Sequence, residues 1–275
     1  MQLISSRLKS NGKIIGLVPT MGFLHEGHTS LIIKSKEQSD ITIVSIFVNP
    51  IQFAPTEDLE SYPRDIEEDK LILKKNKVDY LFLPSAHEIY QQKFNTYVEV
   101  LGLTSKFEGE FRPTHFKGVT TVVAILFNIV NPHKVFFGQK DAQQVSVIKK
   151  MIIDLHYDIE LFLCPIVREP DGLAMSSRNV YLGADERKRA LLLYQSLNEA
   201  RELIDKGERN ALSIVKKVNN IFITEKTIHL NYIAIVEYDT FLAADILKSG
   251  ISYFIIIAAK VGKTRLIDNL LVSIK

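Results

Sequence analysis

The sequence predicts an α/β fold built on a parallel sheet, followed by a smaller α+β domain. Three observations predict it. Up to residue 167, short apolar segments alternate with helical patterns, an order that lays strands in parallel with helices on both faces. Residues 41–48 are nearly all apolar and β-branched, as a strand buried on both sides is. Beyond residue 167 the order changes to two helical patterns and then three strand patterns. The expected division is 1–167 and 168–275.

Each element follows from its residues. Residues 13–18 form a β-prone run stopped by Pro19, and a loop with Gly22 and Gly27 follows. Residues 29–39 carry Leu31, Ile32 and Ile33 among polar neighbours and predict a helix. After the 41–48 strand, residues 63–76 open with Pro63, place acids in the first turns and lysines in the last, and so predict a helix aligned with its dipole. Residues 80–83 predict a strand ended by Pro84. Residues 120–130 predict a buried helix and 134–138 a strand. Val145, Ile148, Ile152 and Leu155 share one face of a helix over 141–155, and a strand covers 159–167. Glu169-Pro170-Asp171-Gly172 is a turn. Helices over 185–206 and 211–224 then lead to strands over 230–236, 252–259 and 265–272.

Composition removes several function classes. The 275 residues carry 34 Lys plus Arg against 32 Asp plus Glu, a formal charge of +2, which argues against a main role in coating nucleic acid or an anionic membrane. With 46% hydrophobic and 24% charged residues the chain has apolar surface enough to fold. Cys164 is the one cysteine, which excludes an internal disulfide and a Cys-rich zinc cluster and points to a reducing cytoplasm. The first ten residues lack the apolar core and cleavage site of a signal peptide. The apolar runs 119–130 and 251–259 fall short of the roughly 18 residues that cross a bilayer.

The densest chemical signal is Pro19-Thr20-Met21-Gly22-Phe23-Leu24-His25-Glu26-Gly27-His28, between a predicted strand and a predicted helix. Two histidines three apart face the same way within one helical turn, and a helix N-terminus after a Gly-containing loop suits phosphate. No His-Glu-x-x-His is present, and three zinc ligands are not visible. A second block, Phe137-Gly138-Gln139-Lys140-Asp141-Ala142-Gln143-Gln144, also ends a strand and starts a helix. Lys140 offers a point charge, Asp141 an acceptor and Gln144 an amide, although Lys and Asp also suit an ordinary helix start. The third block, Met175-Ser176-Ser177-Arg178-Asn179, is either a polar turn or a grip on phosphate oxygens. Asn49-Pro50-Ile51-Gln52 closes the 41–48 strand and aims amides at the same mouth; Arg112-Pro113-Thr114-His115 is a fourth contributor or a plain loop.

Other features carry no chemistry. Gly262-Lys263-Thr264 lacks the glycine a phosphate loop needs five residues earlier, where Ile257 stands, and no Gly-x-Gly-x-x-Gly occurs. Arg187-Lys188-Arg189 reads as a solvated helix face rather than a nucleic-acid contact, and the acids Glu68 and Asp69 as a solvated helix face rather than metal ligands.

Five ordered blocks (19–28, 48–53, 116–119, 137–144 and 175–179), with Arg265-Leu266-Ile267-Asp268-Asn269 beyond them, closely resemble the pantoate–β-alanine ligase family. That family sits in the nucleotidylyl-transferase superfamily, whose His-x-Gly-His segment is shared with class I aminoacyl-tRNA synthetases. The resemblance implies a Rossmann-like nucleotide-binding domain with a C-terminal lid, in a cytoplasmic homodimer. It implies ATP-dependent joining of pantoate to β-alanine, giving pantothenate, AMP and diphosphate through a pantoyl adenylate. The alternative is a nucleotidylyltransferase of the same superfamily, whose product keeps a nucleotide.

By the same resemblance, Met21, Gly22, Phe23, Leu24, His25, Glu26, Gly27 and His28 line the ATP site, with His28 as the usual catalytic acid. Gly138, Gln139, Lys140, Asp141 and the Val167 backbone hold the nucleotide, and Met175, Ser176, Ser177 and Arg178 form a mobile second phosphate clamp. Gln52 would hold pantoate and β-alanine, and Gln144 pantoate. His25, His28, Lys140 and Arg178, with Mg²⁺ on the ATP oxygens, would supply the positive field; protein ligands to the metal are unknown. Phe23 stands where a small residue is common, and Thr114 where glycine is. The three polar blocks are expected to converge on one triphosphate beside a small hydroxy acid.

Overall fold

The structure, a computed structural model, describes residues 1–55, 57–225 and 227–275. The chain divides into two compact units: Met1–Gln139 with Gln143–Pro165, and Lys140–Ala142 with Ile166–Lys275.

The first unit runs α1 (Gln2–Ser10), β1 (Ile15–Thr20), α2 (Glu26–Gln38), β2 (Ile41–Ile46), α3 (Ile66–Lys75), β3 (Tyr80–Phe82), α4 (Ala86–Ile89), α5 (Glu108–Phe111), α6 (His115–Val130), β4 (Lys134–Gly138), α7 (Ala142–Asp154) and β5 (Glu160–Cys164). Its five strands are parallel and lie in the order β3-β2-β1-β4-β5. This is a Rossmann-like sheet, and the order reverses between β1 and β4, the place where such sheets open a crevice for ligands. The pleat divides the apolar residues between two cores. Ile15, Leu17, Ile43, Val135 and Phe137 pack with α6 and α7. Val18, Val44, Phe136 and Cys164 pack with Leu31 and Ile32 of α2 and Leu73 of α3. Because α6 is buried along most of its length, its sequence is apolar all round.

The second unit holds α8 (Ala184–Asp205), α9 (Ala211–Thr224) and the antiparallel strands β6 (Ile228–Glu237), β7 (Ser252–Val261) and β8 (Thr264–Ser273), ordered β6-β7-β8. Leu193 and Leu197 of α8, Ile214 and Val218 of α9, and Ile255, Ile257 and Ala259 of β7 form its core. Gly262-Lys263 is the two-residue turn between β7 and β8. The sequence Gly262-Lys263-Thr264 thus joins two antiparallel strands rather than a strand and a helix.

Several expectations need correction. Pro19 does not stop β1 but lies inside it. The ladder to β4 covers only Gly16 and Leu17, so the missing N–H falls where that side of the strand has already opened. The 29–39 helix starts earlier, at Glu26, because His25 caps it. The 63–76 helix starts later, at Ile66, because Asp65 caps it through the Glu68 N–H. The helix expected over 120–130 begins at His115, and β5 ends at Cys164. Helices α1, α4 and α5 were not expected; the latter two are single turns, too short for a periodic pattern. No described helix is long and apolar enough to cross a membrane.

Candidate active site

In the first unit the β1–α2 corner is built by backbone bonds. The Thr20 hydroxyl donates to the Ser45 carbonyl (2.8 Å) and accepts from the Gly22 N–H (3.2 Å). Gly22 has φ +80°, and a Cβ there would fall 2.9 Å from Asp69 Oδ2, so both conformation and space require glycine. Phe23 has φ +51°, a left-handed conformation costly for a bulky residue. Asp69 holds it there. Its two carboxylate oxygens accept the Phe23 N–H (3.0 Å) and the Leu24 N–H (2.6 Å).

Asp69 is therefore not part of a solvated helix face: it is 2% exposed. Burial pushes its carboxyl above the ordinary carboxylate range, even though the two N–H donors favour the anion. A sequence signal was present. Asp69 stands on the apolar face of α3, three residues after Ile66 and four before Leu73.

The two histidines close the corner as a capping pair. The Gly27 N–H donates to His25 Nδ1 (3.1 Å), and the His25 N–H donates to His28 Nδ1 (3.3 Å). Their rings lie 4.1 Å apart. A nitrogen that accepts a backbone N–H carries no proton, so both rings are assigned the neutral tautomer with the proton on Nε2. A second proton on either ring would displace a helix cap. In this tautomer each ring keeps an N–H at Nε2 that can donate a hydrogen bond.

Beyond β2, Gln52 sits in a polar cluster. Asn49 Nδ2 donates to Gln52 Oε1 (3.1 Å) and to the Gly118 carbonyl (3.0 Å). Tyr90 donates its hydroxyl proton to Asn49 Oδ1 (2.7 Å). Gln52 Nε2 donates to Met21 Sδ (2.9 Å), which joins this cluster to the β1–α2 corner. The buried His115 ring places Nδ1 3.1 Å from the Gln52 carbonyl. At Gly118 a Cβ would fall 2.5 Å from Gln52 Cα, so α6 reaches the Gln52 backbone only with glycine there. Arg112 forms a two-pronged ion pair with Glu57, at 2.6 and 2.8 Å. Burial alone would raise the Glu57 carboxyl, but the bonds and charge of Arg112 outweigh it and hold it below the ordinary range. Thr114 precedes α6 without a side-chain cap bond. Gly138 ends β4, Gln139 follows it, and Gln144 lies half-buried in the first turn of α7.

In the second unit Lys140 Nζ lies 3.8 Å from Asp141 Oδ1. The Lys140 carbonyl accepts from Asn269 Nδ2 at 3.0 Å. The Val167 carbonyl accepts the Met175 N–H (3.0 Å), closing the turn through 169–172. Ser176 caps the single turn Ser177–Tyr181, its hydroxyl accepting the Arg178 N–H (3.3 Å). Asn179 donates to the Glu169 side chain (2.7 Å) and to the Ala174 carbonyl (3.1 Å). Arg187 is not a solvated charge: it pairs with both Glu169 and Asp171. Arg168 pairs through two nitrogens with Asp268 (2.7 and 2.9 Å) and lies over the Tyr194 ring at 3.8 Å. The partners of Arg168 and Arg187 could not be read from local sequence.

No group of three or more His, Cys, Asp or Glu stands together to hold a metal ion, so the described residues offer Mg²⁺ no cage of their own. Cys164 is buried and its thiol is pushed up to about 11, far from a nucleophile's range.

Comparisons with known proteins agree over the whole chain. A family model described as pantoate-beta-alanine ligase matches residues 1–271. The pantothenate synthetase of Caldicellulosiruptor saccharolyticus is 55% identical over 100% of this chain and 97% of its own. That of Acetivibrio thermocellus is 52% identical over 97% and 94%. The crystal structure of pantothenate synthetase from Thermus thermophilus is similar with a TM-score of 0.90 and 40% identity, covering 97% of this chain and 96% of that one. The pantoate-beta-alanine ligase of Francisella tularensis, complexed with beta-gamma ATP and beta-alanine, is similar with a TM-score of 0.73 and 36% identity, over 97% and 94%.

Proposed function

Because the chain belongs to the pantoate–β-alanine ligase family, we propose how its own residues divide the work of that family's reaction. It joins pantoate to β-alanine to give pantothenate, with ATP cleaved to AMP and diphosphate. The pantoate carboxylate attacks the α-phosphorus, diphosphate leaves, and the β-alanine amine then attacks the acyl carbon and releases AMP. The protein needs no nucleophile of its own. Its task is to align the reactants and to stabilise charge on the phosphate oxygens.

In this reading His28 and His25 donate from Nε2 to phosphate oxygens, while their Nδ1 atoms stay committed to the helix cap. The N-terminus of α2 adds its dipole. Lys140 and Arg178 supply formal positive charge, with Ser176 and Ser177 as further donors. Met21, Gly22, Phe23, Leu24, Glu26 and Gly27 line the nucleotide from the β1–α2 corner. Gly138, Gln139, Asp141, Val167 and Met175 line it from the other loops. Gln52, oriented by Asn49, holds pantoate and β-alanine, and Gln144 holds pantoate. The nucleotide is taken as its Mg²⁺ complex, with the ion carried by phosphates rather than by a protein cage. A cytoplasmic homodimer completes the proposal; sedimentation at low protein concentration tests its oligomeric part.

The observation that carries this reading is the β1–α2 corner, where two imidazoles spend one nitrogen each on a helix N-terminus and keep a proton on the other. The test is AMP release with pantoate and β-alanine omitted in turn. AMP and diphosphate in stoichiometric pantothenate formation are expected only when both acids are present. Release of AMP from ATP alone, or a product that retains the nucleotide by mass, would overturn it.

A further inference from the structure

Two adjacent residues of β8 each grip a different part of the second unit. Successive side chains on a strand point to opposite faces. Asp268 lies opposite Ile257 of β7, on the face packed against α8, and Asn269 lies opposite Ile256 on the other face. From the first face Asp268 takes both prongs of Arg168, which also donates to the Gly172 carbonyl (3.1 Å) and so fixes the turn that leads to Met175. From the second face Asn269 Nδ2 donates to the Lys140 carbonyl (3.0 Å). Both side chains are almost fully buried, Asp268 at 4% and Asn269 at 1% exposure. The Asp268 carboxylate also accepts the Asn269 N–H (2.7 Å), which stiffens the pair.

We propose that Asp268 and Asn269 are positioning residues for the nucleotide, with Asn269 fixing the Lys140 backbone and Asp268, through Arg168, fixing the 167–178 segment. One rigid strand thereby sets the spacing of both cationic groups. In this proposal each acts through another residue rather than on the substrate itself. The argument rests on the reading of Lys140 and Arg178 as phosphate-binding groups.

The test is steady-state AMP release by the full chain with ATP, pantoate and β-alanine varied separately. Asn269→Ala is expected to lower kcat/KM for ATP by about tenfold, the scale of a small misplacement of a reacting group, while the KM for pantoate changes by less than about twofold. In a Lys140→Ala background the same substitution is expected to cost less than about twofold, because the group it positions is gone. Full additivity in the double variant, or equal change in the ATP and pantoate KM values, would overturn the proposal. If Asn269→Ala does not fold, Asp268→Asn, which keeps the shape of the pair, carries the same expectation for ATP against pantoate. Unchanged ATP kinetics in Lys140→Ala alone would remove the phosphate reading itself. An impaired Lys140→Ala beside an unaffected Asn269→Ala would remove only the positioning role.

Discussion

The two polar loops of this protein are held in different ways. The β1–α2 corner is held in part by short-range bonds to its own backbone: His25 and His28, three residues apart, cap a helix. Asp69 supports it from a distance, and it too acts on backbone N–H groups. The 167–178 segment of the second unit is held by side chains from afar, with Arg168 paired to Asp268 a hundred positions away and Arg187 paired to Glu169 and Asp171. The capped corner keeps its shape through neighbours in the chain together with one buried carboxylate. A segment held by ion pairs keeps its shape only if remote elements are in place.

Breaking each device should show the difference. The largest effect is expected from Arg168→Ala, which leaves the buried Asp268 carboxylate unpaired and should cost about 3–5 kcal/mol, measured by urea unfolding followed with a probe in the second unit. His28→Asn comes next. The shorter amide can still accept the His25 N–H, so the thermal midpoint should stay near the parent's. It loses the Nε2 donor, so the rate of AMP release should fall by about 10²–10³. A His28→Asn variant with full activity would remove the donor role. Gly22→Ala should cost about 1–2 kcal/mol, since its left-handed conformation and the nearby Asp69 oxygen both oppose a Cβ; differential calorimetry checks it.

The smallest effect sharpens the comparison within the first unit, at the ion pair of Glu57 and Arg112. The folded-state pKa of Glu57 lies below its ordinary value of 4.5. Its stabilisation is therefore present above 4.5 and lost as pH falls through the lower folded value. The midpoint gap between the parent and Glu57→Gln should be widest near neutral pH and close under acid conditions. Its size should be at most about 1 kcal/mol, as the pair is partly solvated.

What was legible in the sequence follows the same division. The alternation of strands and helices, and the paired histidines, were readable because pleat and cap act over two to four residues. Asp69 was misread as solvated although its phase with Ile66 and Leu73 put it on the apolar face of α3. Pro19 was misread as a strand end because the opening of β1 from β4 is set by the whole sheet. Arg187 was misread as a surface charge because its partners lie 16 and 18 positions back, across a turn. Asp268 and Asn269 stood out through family resemblance, but their partners Arg168 and Lys140 are joined to them only by the fold.

Cys164 offers a practical consequence. Sealed under α2 and slow to ionise, it should ignore maleimides that react with any exposed thiol. The chain is then a natural blank for site-selective labelling. Val180, well exposed in the turn after Arg178, is a suitable anchor: a dye attached through Val180→Cys would report on the 177–181 turn with no background from the native sulfur.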